Sequence, residues 1–79
     1  MKIKKDDSKY IYVIIGRNLK RIRHSKGLTQ VQLADLINYS EGTIANIENS
    51  SFQTCSIEFL YLIAKKLNVP MKEFFEDVD

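Results

Sequence analysis

Two helix starts set only 11 residues apart constrain this chain more than any other feature in it. The first is Thr29, with Gln32 three positions on. In that capping-box spacing the threonine hydroxyl and the glutamine side chain satisfy two of the backbone groups that a helix start leaves without partners. Leu28 before the cap and Leu33 after it stand in the positions of a hydrophobic staple. Ser40 is the second start, with Tyr39 and Ile44 in the same relation. Two short helices, at about residues 30–37 and 41–49, are then joined by a turn of about three residues, too short to lay them antiparallel along their full length. Asn38 falls in that turn, where a left-handed backbone is needed and asparagine is tolerated better than most residues.

Such a pair is a helix-turn-helix, and residues 30–49 resemble the lambda-repressor-like (Cro/repressor type) DNA-binding module. The residues that carry the resemblance are Leu33 and Ala34 in the first helix, Ile37 and Tyr39 about the turn, and Ile44 and Ile47 in the second. The small Ala34 falls where that family packs the two helices closest. One departure is Asn38, where the family commonly has glycine. The resemblance extends over roughly residues 15–75, most of the chain, and implies an all-α, compact five-helix domain similar to small phage repressors and restriction-modification controller proteins.

Length agrees with a single domain: 79 residues form a small core, burying about 60% of the unfolded surface. A hydrophobic content of 44% beside 28% charged residues is that of a soluble globular protein. The longest apolar run, residues 10–15, is too short to span a bilayer and is followed by no small-residue cleavage site, so neither a membrane helix nor a signal peptide is expected. The single cysteine, Cys55, has no intramolecular partner, which suits a reducing, cytoplasmic setting. Net charge is only +2, but residues 1–26 carry nine Lys/Arg against two Asp, whereas residues 27–79 carry three against eight. A basic first part on a small domain suits contact with phosphates. The alternative is a lysine-rich tail beside a solvated helix face.

Residues 1–8 read as a flexible basic segment and residues 9–79 as the folded domain. The first helix is expected from about Ser8 to Lys26, with Ile11, Ile15, Leu19 and Ile22 on its inward stripe and Gly27 ending it. Strand-forming residues in 10–15 oppose its first turns. Val13 and Ile14 point off the stripe and could cover the far end of the chain or a second subunit. Ser56 caps a fourth helix with apolar positions Ile57, Leu60, Ile63, Ala64 and Leu67. After Asn68, suited to a left-handed cap, Pro70 opens a fifth helix. Phe74 and Phe75 are expected to close the core, while Phe59 and Leu62 on the second face of the fourth helix, with one of those two phenylalanines, are a surplus that a single small core does not cover, and a homodimer interface is expected there.

A sequence-specific DNA reader needs a rod in the major groove, side chains matching base edges, and donors that hold the backbone. With Ile44 and Ile47 inward, the second helix of the motif presents Glu41, Gly42, Thr43, Ala45, Asn46 and Asn49. The resemblance implies that residues 41, 42, 43 and 46 are nearest to bases, and the cap Ser40 beside them is a further DNA-binding candidate. Asn46 could take an adenine bidentately, Glu41 could accept from a cytosine amine, and Thr43 could offer its hydroxyl or touch a thymine methyl. The resemblance also assigns Gln30 to clamping a phosphate at the positive end of its helix, and Arg23 with Glu48 to a shielded structural ion pair. Arg17, Lys20 and Arg21 are further phosphate candidates, with Asn49, Ser50 and Ser51 at the other flank. The loop at residues 50–55 is about one residue longer than the family's and lacks its usual Gly and Pro.

Catalysis has no matching pattern: no glycine-rich phosphate loop, no zinc-binding His-Glu-x-x-His and no Gly-x-Ser-x-Gly elbow. His24 and Cys55 are not placed together by the sequence, and the acidic cluster Glu73, Glu76, Asp77 and Asp79 lacks calcium-loop spacing. No metal, cofactor or small-molecule ligand is expected. The reading is a transcriptional regulator binding a palindromic operator in double-stranded DNA as a homodimer. Its rival is a protein-interaction adaptor or anti-repressor that keeps the fold without reading DNA, favoured by the absence of any Lys or Arg from the second helix of the motif.

Overall fold

The computed structural model describes residues 3–49 and 53–77, which are all-α with no strand among them. Four helices follow in order: α1 (Tyr10–Ser25), α2 (Gln30–Ile37), α3 (Glu41–Asn49) and α4 (Ile57–Leu67). The expected fifth helix is a single 3₁₀ turn, Met71–Phe75, with Pro70 just before it.

Each boundary has a local cause. At the end of α1, Gly27 takes φ +68° while Leu28 N–H donates to the Arg23 carbonyl and Gly27 N–H to that of His24, a glycine-ended cap. Thr29 then starts α2 with both halves of the capping box: Gln32 N–H donates to Thr29 Oγ1 at 3.0 Å, and Thr29 N–H to Gln32 Oε1 at 2.9 Å. Asn38 ends it in the left-handed region at φ 61°, and Tyr39 N–H returns to the Ala34 carbonyl. Ser40 Oγ accepts from Thr43 N–H at the start of α3, and Ser56 Oγ from Phe59 N–H at the start of α4. No side chain caps α1, which begins at Tyr10 rather than Ser8.

One apolar core joins the elements. Ile15, Leu19 and Ile22 of α1 meet Leu33, Ala34 and Ile37 of α2, Ile44 and Ile47 of α3, five residues of α4, and Phe74. The periodicity of α1 is correct from Ile15 onward but misplaces its first turn: Ile11 is exposed, and Tyr10 is the buried residue there. Ile57, expected inward, is 67% exposed. Phe59, expected to be surplus, is 2% exposed and belongs to the core, and of the two phenylalanines expected to close that core Phe74 does so at 0% exposed while Phe75 stays outside, so neither Phe59 nor Phe74 is available as an interface. Tyr39, assigned to a staple with Ile44, is 41% exposed and sets its ring edge-on to Phe59, centroids 5.0 Å apart.

Two unanticipated contacts set the helix arrangement. Gly16 of α1 lies against the backbone carbonyl of Ile47, so a Cβ at position 16 would overlap that oxygen. Asn18, fully buried, donates from Nδ2 to the carbonyls of Phe74 (3.0 Å) and Glu76 (2.7 Å). Its Oδ1 accepts from Arg21, whose guanidinium also reaches the Glu73 carboxylate at 3.2 Å. These bonds satisfy the buried amide and tie the 3₁₀ turn to α1.

Candidate nucleic-acid interface

Helix α3 is packed on one side against α1 and on another against α2, which leaves its remaining face to solvent. Ser40, Glu41, Gly42, Asn46 and Asn49 are exposed, and Thr43 and Ala45 are half-buried. The expected base-facing set is therefore gathered on one short rod. The only charge on its solvent-facing side, among the described residues, is Glu41, which sits in the first turn where the helix dipole favours an anion.

The rod is fixed from behind by Glu48. This carboxylate is 0% exposed and accepts from Arg23 through both oxygens: Nε to Oε2 at 2.6 Å and Nη2 to Oε1 at 2.9 Å. Arg23 Nη1 also donates to the Leu28 carbonyl at 2.8 Å. A fork-to-fork pair of this kind is strong and directional. Hydrogen bonding to Glu48 holds the Arg23 guanidinium protonated above its ordinary range, against the opposing effect of burial.

Glu48 has a third donor. Gln30 Nε2 lies 3.1 Å from its Oε1. The first residue of α2 is thus joined to α3 and α1 through one buried carboxylate, a link between distant positions that no local pattern in the sequence announces. An open groove of about 530 Å³ passes this point, with His24, Thr29, Gln30 and Glu41 among its walls. His24 lines the same groove as Gln30.

The basic candidates divide. Arg17 and Lys20 are exposed. Arg17 donates to the Tyr10 hydroxyl at 3.1 Å and lies over that ring, which fixes its direction. Arg21 is occupied by Asn18 and Glu73. Ser50 and Ser51 lie outside the described residues. Two signals for the missed residues were present: Gly16 interrupts a helical pattern, which often marks a close approach, and Asn18 occupies a stripe position between Ile15 and Ile22.

No group of His, Cys, Asp and Glu able to hold a metal occurs among the described residues. Burial pushes the Cys55 thiol up, away from the reactive thiolate. No described helix is long and apolar enough to cross a membrane.

Comparison with known proteins agrees with this geometry. The chain is 38% identical over 61 residues to the competence pilus inhibition repressor of Acinetobacter baylyi, a match covering 77% of this chain and 54% of that protein. The chain thus spans about half the length of that relative. Among solved structures, the restriction-modification controller protein C.AhdI from Aeromonas hydrophila superposes with a TM-score of 0.73 at 26% identity, covering 81% of this chain and 96% of that one. The controller protein C.Esp1396I gives 0.72 at 35% identity, covering 84% of each chain. The helix-turn-helix family matches residues 19–74. The chain belongs to that family, in its lambda-repressor-like form.

Proposed function

We propose that the protein is a sequence-specific DNA-binding transcriptional regulator that acts as a homodimer on a palindromic operator. The observation that carries this reading is the solvent-facing side of α3, a short polar face held from behind by Glu48, Arg23 and the Gly16 contact. Ser40, Glu41, Gly42, Thr43 and Asn46 would approach base edges in the major groove, with Asn49 at the far end. Gln30, Arg17 and Lys20 would hold phosphates, joined by Ser51 from the following loop. The relatives named above, a repressor and two controller proteins, agree with a regulator.

For the dimer, the surface that suits a second copy is the outer face of α4. Ile57, Tyr61 and the half-buried Leu62 are its apolar part, Tyr39 adjoins it, and Phe75 is exposed nearby in sequence. Glu58 and Lys65 stand equally far on either side of the Tyr61 and Leu62 midpoint. A twofold antiparallel pairing of α4 would set each Glu58 against Lys65 of the other copy, a self-complementary arrangement. Pairing also raises effective affinity, which a recognition face without Lys or Arg needs.

That missing positive charge is the specific observation favouring the second reading, an adaptor or anti-repressor that keeps the fold. A binding selection from random DNA duplexes separates the two. A regulator enriches one sequence and binds it with a steep dependence on salt. No enrichment and no salt dependence would leave the adaptor.

A further inference from the structure

Resting on the DNA-reading proposal, the start of α3 narrows what one residue can recognise. Thr43 Oγ1 lies 2.8 Å from Ser40 Oγ, and Ser40 Oγ also accepts the Thr43 backbone N–H at 3.2 Å. The threonine oxygen is thereby turned back along the helix to its own cap. Whichever hydroxyl donates, swinging Oγ1 outward breaks this pair, and a β-branched side chain has few other wells to occupy. The remaining side-chain atom is the Cγ2 methyl. Beside it Gly42 has no side chain, and a Cβ built there would meet nothing nearer than Ser40 Oγ at 4.0 Å. The surface next to Thr43 is therefore bare backbone, open to close approach.

We infer that Thr43 is a specificity-determining residue that recognises thymine through its methyl group, packing Cγ2 against the C5-methyl in the major groove. That C5-methyl is the feature by which thymine is told apart through apolar contact.

The test uses a duplex enriched by the wild-type protein, with deoxyuridine replacing each thymine in turn, so that only the methyl is lost. One replacement per half-site is expected to weaken wild type about fourfold, the worth of one buried methyl. Thr43→Ser, which keeps the hydroxyl and removes the methyl, binds thymine and deoxyuridine alike at that position. Thr43→Val, which keeps the methyl, still discriminates, and thermal melting confirms that each variant is folded. The inference is overturned if deoxyuridine is tolerated at every thymine, or if Thr43→Ser discriminates as well as wild type. If wild type enriches no sequence at all, the DNA-reading proposal itself fails and takes this inference with it.

Discussion

Gly16 of α1 and Ile47 of α3 touch through backbone alone: the glycine Cα faces the isoleucine carbonyl with no room for a methyl group between them. This contact sets how closely the candidate reading helix lies on α1. Gly16→Ala gains about 1 kcal/mol of helix propensity, but the overlap is with backbone, which cannot rotate away. Overpacking of this kind costs about 1 to 3 kcal/mol. A lower thermal midpoint is the expected net result, and an unchanged or raised one would show that α1 and α3 separate easily.

Glu48→Ala leaves the Arg23 guanidinium buried without its carboxylate. Removing one partner from a buried pair costs about 3 to 5 kcal/mol, far more than the 0 to 1 of a surface pair. Chemical denaturation is expected to show a loss in the upper range. A midpoint matching wild type would mean that the pair opens freely to water.

Asn18→Ala removes two hydrogen bonds to the Phe74 and Glu76 carbonyls and one acceptor from Arg21. Buried groups left unsatisfied cost about 1 to 3 kcal/mol each, and the loss is concentrated at the 3₁₀ turn. Hydrogen exchange is expected to speed up at residues 73–76 before it does so in α2. Uniform acceleration would contradict a local anchoring role.

Cys55, with its thiol raised by burial, is expected to react with iodoacetamide more slowly in the folded protein than in the denatured chain at neutral pH. Because the folded state favours the protonated thiol, its contribution to stability is present below the ordinary cysteine range and is lost as pH rises through the folded value. Equal alkylation rates in the two states would show that the thiol is freely solvated.

On the α4 face, Glu58→Lys is expected to set like charges against Lys65 of a second copy and shift the protein to monomer in sedimentation equilibrium. Adding Lys65→Glu restores complementarity and the dimer. A monomeric wild type, or a dimer indifferent to both changes, would remove this face from the proposal.

Legibility of the fold in the sequence followed the reach of each interaction. The bounds of α2 and α3 were readable because Thr29, Gln32, Asn38 and Ser40 act within three or four residues of themselves. The start of α1 was not, since no cap marks it and Tyr10 and Ile11 differ only in which side of the helix meets the core. Phe59 reads as surplus because a sequence does not show how much apolar volume four helices and a turn enclose. At the candidate site, the outward residues of α3 followed from the inward Ile44 and Ile47. The bond from Gln30 to Glu48 spans 18 positions and exists only once α1, α2 and α3 are packed together.

The division of labour between α3 and α2 is the centre of this account, and single-base variants of a selected operator test it most directly. Asn46→Ala is expected to cost about 1 to 3 kcal/mol and relax preference at one base position, while Gln30→Ala weakens every variant by the same factor. Equal losses on all sequences for Asn46→Ala, or a changed base preference for Gln30→Ala, would contradict the assignment of base reading to α3 and phosphate holding to α2.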